Sequence, residues 1–373
     1  MNNFEYKEKY KYLSSGCLNL TDACNLACKY CFVEQHPHYM TYQIAQDAID
    51  FYINNLRKKK SLNLIKEDTK STVTFFGGEP TLLWDEIIVP LVHYTNLNYK
   101  NEINFTITSN ATLLNEEKIK FLADNNISLL LSIDGNKESQ DFNRPTHDGK
   151  SSFDLLEKNL PLIIQYLPNT TFRSTITPYS AKYIYSNYLY AADLGFKNIF
   201  MMPNGREQWT IEDKNILKQE IEKLYTLYAC CFINNFFPPL SGWLDDALEE
   251  ILVRDMAAIN NRDIRQLYKN VERCGLGTTY SSIGYDGNIY GCQEQTSRDE
   301  KNIFLIGNIY TGIDQEKHYN LLNKFYNTKN ESCINNENCK NCLRKEICSA
   351  ASCPSTNWDL HQCFNKTNDI NCF

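Results

Sequence analysis

The chain of 373 residues carries 38 basic and 45 acidic side chains, a net charge of −7, and fifteen cysteines. An acidic balance without a long basic run argues against a nucleic-acid-binding surface. Residues 1–16 are polar and charged without an apolar h-region, and no later stretch approaches the roughly eighteen apolar residues of a membrane span, so we expect neither a signal peptide nor a membrane-spanning helix. We therefore expect a cytoplasmic protein.

In chain order, short apolar or β-branched runs alternate with amphipathic stretches from residue 15 to about residue 203. This periodicity predicts six strands, each but the last followed by a helix. The strands are predicted at 17–21, 72–76, 103–108, 127–133, 171–177 and 198–203, and the helices at 41–59, 82–97, 115–125, 152–166 and 180–193. Such alternation predicts a parallel sheet, and six units are two short of a closed eight-stranded barrel. The predicted fold is α/β, with a partial (β/α)6 TIM-like barrel over residues 1–210.

The pattern changes after residue 203. Residues 211–270 have helical apolar spacing and are predicted to form a helical linker. Cys230 and Cys231 are adjacent there, and neighbouring side chains of a helix point about 100° apart. The two cysteines would therefore make a poor metal-chelating pair, and we interpret them as core residues. Residues 271–373 are loop-rich and hold nine of the fifteen cysteines. We predict that they form a small third domain in which bound metal supplies the missing cross-links.

Three cysteines, Cys24, Cys28 and Cys31, follow the first predicted strand. Ligands of parallel α/β folds collect at the carboxyl ends of the strands, where this loop is expected. A reducing compartment disfavours disulfides, and soft thiolates favour zinc or an iron–sulfur cluster. Zinc would need a fourth ligand, for which His36 and His38 are candidates. A four-iron cubane on three thiolates would instead leave one iron open to a small molecule.

The CxxxCxxC spacing after the first strand, with the aromatic Tyr30 before its last cysteine, resembles the signature of the radical S-adenosylmethionine (SAM) enzymes. The resemblance implies a [4Fe-4S] cluster on Cys24, Cys28 and Cys31. It also implies reductive cleavage of SAM to a 5′-deoxyadenosyl radical, which abstracts hydrogen from a substrate. Such chemistry needs an electron donor, for which a flavodoxin or a ferredoxin is expected.

Two further segments resemble SAM-contacting parts of this family. In FFGGEP at 75–80, Gly77 and Gly78 would let the backbone approach the methionyl amine, and Glu79 would help to hold it. In TSN at 108–110, the polar groups at the end of the third strand would contact the ribose; these are Ser109 and Asn110.

The SIDG segment at 132–135 and QDFNR at 140–144 resemble the family's SxDG and HDxxR pair, with Gln140 in place of the usual histidine. The resemblance adds Ser132 to the cofactor-binding residues and implies that Arg144 pairs with the SAM carboxylate. Asp134 is a candidate catalytic residue, because sulfatase maturases are expected to have their general base there. The alternative is a strand-end aspartate that caps its own turn.

The carboxyl-terminal cysteines resemble the SPASM extension, which carries two auxiliary [4Fe-4S] clusters in radical SAM maturases. By position, Cys274, Cys292 and Cys353 would hold the first auxiliary cluster. The ligands implied for the second are Cys339, Cys342, Cys348 and Cys372. Cys363 competes with Cys372, Cys333 is unassigned, and four residues rather than the usual three precede Cys353. A zinc-ribbon-like tail is the alternative.

Three functions compete. The first is a maturase that joins a cysteine sulfur to a carbon in a ribosomally made (RiPP) precursor peptide, as a thioether. The second is a formylglycine-forming sulfatase maturase or another peptide cross-linking or oxidising enzyme, and the third is an iron–sulfur electron carrier. The first is favoured because no cysteine lies between Cys274 and Cys292. The first auxiliary cluster would then have three protein ligands and one open coordination position. With about sixteen residues before the first strand, we expect leader recognition to use another surface or a separate protein.

Overall fold

The structure is a computed structural model that describes residues 6–234, 238–239, 274–328 and 353–362. Ten strands lie in these ranges: β1 (Gly16–Thr21), β2 (Ser71–Gly77), β3 (Ile103–Ser109), β4 (Ser128–Ser132), β5 (Thr171–Ile176), β6 (Asn198–Pro203), β7 (Ser281–Ile283), β8 (Asn288–Tyr290), β9 (Leu305–Asn308) and β10 (Gly312–Ile313). All six strands of the predicted alternation are present, each within a few residues of its predicted range.

Ten α-helices are described: α1 (Tyr42–Ser61), α2 (Val89–Asn98), α3 (Glu116–Asp124), α4 (Lys137–Asn143), α5 (Phe153–Leu156), α6 (Leu160–Tyr166), α7 (Ile184–Leu194), α8 (Ile211–Ile233), α9 (Gln315–Thr328) and α10 (Pro354–His361). Within the described residues, no helix is long and apolar enough to span a bilayer. α8 confirms the helical spacing at the start of the predicted linker, whereas most of residues 235–270 lie outside the described residues.

The chain divides into two compact units. The first comprises residues 1–25, 31–129 and 274–329. Its strands run in the order β10-β9-β8-β7-β1-β2-β3. The pairs β1–β2, β2–β3 and β1–β7 are parallel, and the pairs from β7 to β10 are antiparallel. The sheet is open rather than closed into a barrel.

The second unit comprises residues 26–30, 130–273 and 330–373. Its parallel strands β4, β5 and β6 are joined through helices, as the alternation predicted. The division into domains 1–210, 211–270 and 271–373 stays a prediction.

Amphipathic spacing explains how the helices cover the sheet. α1 begins at the N-cap Thr41, whose Oγ1 accepts from Ile44 N over 3.3 Å. Its apolar residues recur at helical spacing and are fully buried; they include Ala45, Ile49, Tyr52, Ile53 and Leu56. Strands β1 and β2 contribute the fully buried Leu18, Leu20, Val73 and Phe75. The polar ends of the strands are thereby left for the site.

Candidate active site

The cysteine loop begins directly after β1. Cys24 and Cys28 are half-buried, and Cys31 is exposed. Asn110 Nδ2 donates to Cys24 Sγ over 3.9 Å. Among the residues that the structure describes, no three His, Cys, Asp or Glu side chains are grouped to hold a metal ion. The assignment of these cysteines to a cluster therefore stays a prediction, which rests on the chemistry of three thiols in one loop.

Backbone hydrogen bonds fix the middle of this loop beside the end of α4. Ala27 N donates to Pro145 O over 2.8 Å, and Lys29 N donates to Asn143 O over 2.9 Å. These two bonds flank Cys28. The position of this thiol is therefore set by main-chain pairing with the residues that surround Arg144.

The Gly77–Gly78 segment packs against the beginning of the same loop. Gly78 N donates to Thr21 O over 2.7 Å, and a Cβ on Gly78 would stand 2.2 Å from Ala23 O. Gly77 has φ +135°, in the region that favours glycine. Both glycines are thus required for the close approach of β2 to the residues before Cys24.

Glu79 is a buried carboxylate at this sheet edge, only 1% exposed, and it accepts several hydrogen bonds. Its Oε1 accepts from Thr81 N over 3.1 Å and from Ser109 Oγ over 2.8 Å, and its Oε2 accepts from Asn110 N over 2.9 Å. Burial raises the pKa of Glu79, and these hydrogen bonds oppose the rise. The structure therefore brings three of the predicted residues together: Glu79, Ser109 and Asn110.

The second unit contains a buried polar group centred on Asp134. Tyr30 Oη donates to Asp134 Oδ2 over 2.6 Å, and Arg144 Nη2 donates to Asp134 Oδ1 over 3.1 Å. The Arg144 guanidinium lies 5.2 Å from the centre of the Tyr30 ring. Gln140, which replaces the family's histidine, accepts from Asp134 N through Oε1 over 2.9 Å. Ser132 precedes this group on β4 and is half-buried.

Burial and charge act in opposite directions on the cation of this group. Burial lowers the pKa of Arg144, but Asp134 together with the nearby Tyr30 and Cys28 more than compensates, and the net pKa is raised. Burial also raises the pKa of Tyr30. Arg144 therefore stays cationic and Tyr30 stays a hydrogen-bond donor.

Two buried polar atoms at these positions have no hydrogen-bond partner, Arg144 Nε and Asn19 Oδ1. Asn19 Oδ1 lies 3.3 Å from where a Cβ on Gly77 would stand. A buried donor or acceptor without a partner is costly, so each of these atoms is suited to a ligand group. In the second unit, Arg144 Nε would suit a ligand carboxylate, and in the first unit, Asn19 Oδ1 would suit a ligand ammonium. The chemistry of each unit, taken by itself, therefore fits one of the two charged groups of the methionyl moiety of SAM.

The remaining predicted cluster ligands are described only in part. Cys274 and Cys292 are half-buried in the first unit, and Cys353 is the N-cap of α10 in the second, where its Sγ accepts from Thr356 Oγ1 over 3.2 Å. Six cysteines lie outside the described residues: Cys333, Cys339, Cys342, Cys348, Cys363 and Cys372.

Two features were not predicted. Asp22, which directly follows β1, lies 3.1 Å from His38 Nδ1, and the His38 ring stacks on Tyr285 with centroids 4.4 Å apart. The sequence signal that could have identified Asp22 is its position, because it is a polar residue at the end of the first strand. The fully buried Cys17 thiol contacts the Tyr280 hydroxyl. This contact joins β1 to residues more than two hundred positions away, so the sequence carries no local signal for it.

Comparison with known proteins connects this geometry to a family. Residues 18–208 match the family model of the radical SAM superfamily, which is just over half of the chain. A cysteine-type anaerobic sulfatase-maturating enzyme of Clostridium perfringens is 25% identical over 288 residues, which cover 73% of this chain and 72% of that protein.

Solved structures agree in fold. Native anSMEcpe with bound AdoMet and Cp18Cys peptide superposes with a TM-score of 0.72 at 19% identity, covering 96% of this chain and 93% of that one. Streptococcus suis SuiB bound to the precursor peptide SuiA gives a TM-score of 0.62 at 15% identity, covering 97% and 76%. The fold, the glycine-rich strand end and the sequence match lead to one assignment. The chain is an enzyme of the radical SAM superfamily.

Proposed function

We propose that this enzyme is a peptide maturase that installs a sulfur-to-carbon thioether in a cysteine-containing precursor peptide. The observation that carries the proposal is the segment from Cys274 to Cys292, which the structure describes completely and which contains no other cysteine. If these two residues and Cys353 hold an auxiliary cluster, three protein thiolates leave one iron position for a substrate thiol.

Peptide substrates are supported by the structural neighbours, three of which were solved with a peptide bound. Their likeness to this chain concerns the fold, so the peptide and its chemistry are proposals. The partners we propose are a cysteine-containing precursor peptide, a flavodoxin- or ferredoxin-type electron donor and a separate leader-binding protein.

The residues of each unit have separate tasks in this proposal. In the first unit, Glu79 and Asn19 would hold the SAM ammonium, and Ser109 and Asn110 would contact the ribose. In the second, Arg144 would bind the SAM carboxylate. Cys24, Cys28 and Cys31 would hold a [4Fe-4S] cluster, and SAM bound beside it supplies a 5′-deoxyadenosyl radical for hydrogen abstraction.

Thioether formation removes two hydrogens from the peptide. A carbon-bound hydrogen atom goes to the deoxyadenosyl radical, the thiol proton goes to solvent, and the sulfur–carbon bond closes. One surplus electron must then leave the product, and the predicted auxiliary clusters would accept it. Cys339, Cys342, Cys348 and Cys372, with Cys363 as the rival of Cys372, would hold the second of these clusters.

The test uses anaerobically reconstituted enzyme, dithionite, SAM and a synthetic peptide with spaced cysteines. We expect a product that has lost two hydrogens, whose linked cysteine resists alkylation after treatment with a thiol reductant. Reduction separates the thioether from a disulfide, because only the disulfide is reopened. A peptide with serine in place of each cysteine should stay unmodified. Unchanged cysteine peptide in the presence of active SAM cleavage would contradict the thioether.

Formylglycine formation is the second candidate, and the sulfatase-maturating relative is the observation that favours it. Its product is an aldehyde, which a hydrazide probe captures and a thioether does not. A sulfatase-type peptide with one cysteine should therefore be labelled if this candidate is correct.

Cluster content tests the proposed cofactors independently of the substrate. Three [4Fe-4S] clusters predict about twelve irons per chain. An iron content near four together with bound zinc would contradict the auxiliary clusters and favour a zinc-ribbon-like tail.

A further inference from the structure

Asp134 is the centre of the buried polar group in the second unit. Its side chain is completely buried, and its main chain is fixed as firmly as its carboxylate. Asp134 N donates to Gln140 Oε1 over 2.9 Å, and Asp134 O accepts from Asn187 Nδ2 over 3.1 Å. The next residue, Gly135, has φ +131°, and a Cβ there would stand 2.1 Å from Asn187 Cγ. The backbone therefore holds this carboxylate in one place.

Both carboxylate oxygens of Asp134 are occupied. Oδ2 accepts from Tyr30 Oη over 2.6 Å, and Oδ1 accepts from Arg144 Nη2 over 3.1 Å and from Thr175 N over 2.9 Å. A general base must reach the proton that it removes, directly or through one water. A fully buried carboxylate whose oxygens both accept hydrogen bonds from the protein is poorly placed for that task. This geometry argues against Asp134 as the base that its sequence position suggested.

The two side chains that Asp134 binds come from different segments. Tyr30 lies between two cysteines of the loop, and Arg144 directly follows α4. The carboxylate therefore joins the cysteine loop to the residue with an unpartnered, buried Nε. An arginine side chain loses considerable rotamer freedom when a ligand orders it. Because Asp134 already holds one edge of the guanidinium, that loss occurs on folding rather than on binding.

We propose that Asp134 is a positioning residue for SAM binding. It holds the Tyr30 hydroxyl and the Arg144 guanidinium so that Arg144 Nε is available to the carboxylate of SAM. This role requires SAM binding, which the superfamily shares, and it does not depend on the proposed thioether chemistry.

The test compares Asp134→Asn and Tyr30→Phe with Asp193→Asn in the full, anaerobically reconstituted chain. Asp193 is the matched control, because it lies in the same unit, is exposed on α7 and belongs to none of the motifs assigned to SAM. Equilibrium dialysis gives the dissociation constant of SAM. Dithionite-driven 5′-deoxyadenosine formation without peptide gives KM for SAM and kcat, and iron analysis gives the cluster content.

For Asp134→Asn we expect the dissociation constant and KM of SAM to rise roughly ten- to a hundredfold, with kcat and iron content little changed. Tyr30→Phe removes one hydroxyl and should raise both roughly threefold to tenfold. Asp193→Asn should match the wild type.

Unchanged SAM binding and KM in Asp134→Asn would overturn the proposal. A fall of kcat alone would also overturn it, because a positioning residue acts on binding. Asp134→Asn removes the buried negative partner of the Arg144 cation and could prevent folding. In that case the SAM dissociation constant of Tyr30→Phe tests the proposal. A SAM dissociation constant equal to that of the wild type in Tyr30→Phe would then overturn the proposal, and an increase would support it.

Discussion

Ser109 Oγ donates to Glu79 Oε1 over 2.8 Å, and this bond joins the ends of β2 and β3. Every hydrogen bond that the Glu79 side chain makes to Thr81, Ser109 and Asn110 is one that it accepts. The site at this edge of the sheet therefore depends on an acceptor with two oxygens. An isosteric residue with one oxygen and one amide nitrogen cannot replace it.

Glu79→Gln should lower the free energy of unfolding by about 1–3 kcal/mol, because its amide NH2 would face another donor in either orientation. Urea denaturation followed by circular dichroism measures this difference. Glu86→Gln is the matched control, since Glu86 is exposed in the π-helical segment Trp84–Ile88 that follows, and it should change stability by less than about 0.5 kcal/mol. Equal unfolding midpoints for Glu79→Gln and wild type would show that the hydrogen-bond network is not stabilising.

Gly78→Ala should weaken SAM binding. A Cβ at this position would stand 2.2 Å from Ala23 O, so the strand end must move away from the residues before Cys24. We expect at least a tenfold increase in the SAM dissociation constant, equivalent to about 1.4 kcal/mol. Equilibrium dialysis checks the affinity, and iron content shows whether the cluster is still bound. A wild-type dissociation constant of SAM in Gly78→Ala with a full iron content would contradict this prediction. It would mean that the end of β2 can shift without weakening SAM binding.

Replacing Cys24, Cys28 and Cys31 together by alanine should abolish SAM cleavage. The proposed auxiliary ligands come from other segments, so about eight of the twelve expected irons should remain. Chromatography of 5′-deoxyadenosine and iron analysis measure the two quantities. A Cys230→Ala, Cys231→Ala double variant serves as control. The interpretation of these two cysteines as core residues was wrong for Cys230, which is exposed on α8, and Cys231 is only half-buried, so their replacement should leave both quantities unchanged. Continued 5′-deoxyadenosine production above background in the triple variant would disprove the assigned mechanism.

The buried His318 makes the first unit sensitive to acid. Its Nε2 donates to Gly277 O, its Nδ1 lies 2.7 Å from Tyr6 Oη, and burial lowers its pKa from 6.5 to about 4 despite the bond to Gly277. A lowered histidine pKa means that the unfolded chain takes up the proton first. Its contribution to stability is therefore complete above pH 6.5 and is lost as the pH falls towards 4.

We expect the wild type to lose about 2 kcal/mol of unfolding free energy between pH 7 and pH 5 through this residue. His318→Gln keeps a donor for Gly277 O but does not titrate, so its loss over the same range should be smaller by that amount. Urea unfolding of both proteins at the two pH values gives the comparison. Both proteins have the same cluster ligands, so any effect of acid on the clusters cancels when the loss of unfolding free energy in one protein is subtracted from that in the other. Identical losses would show that His318 is not protonated on unfolding.

The sequence predicted the six strands of the alternation because each is five to seven residues long, is rich in apolar or β-branched residues and, except for the last, is followed by an amphipathic stretch. It also predicted the residues that converge on Glu79, because the motifs lie at strand ends and parallel strands end at the same edge. The strands β7–β10 were not predicted. They have two to four residues each, which is too short for a period to be recognised.

The role of Asp134 could not be derived from sequence either. Its hydrogen bond to Tyr30 spans 104 positions, and a motif specifies the residue types but not their partners. The same SIDG segment is compatible with a general base and with a fully engaged structural carboxylate. The number of donors around the two oxygens distinguishes these roles, and that number depends on the tertiary fold.

The parallel pairing of β1 with β7, in which Gly16 lies opposite Ser281, has a consequence for biosynthesis. A chain grows from its amino terminus, so β1 and β2 leave the ribosome long before residues 281–283 exist. During that interval one edge of β1 has unpaired backbone groups that can pair with another chain. Nascent protein should therefore depend on chaperones until residue 283 has emerged, and chains truncated before β7 should aggregate through this edge.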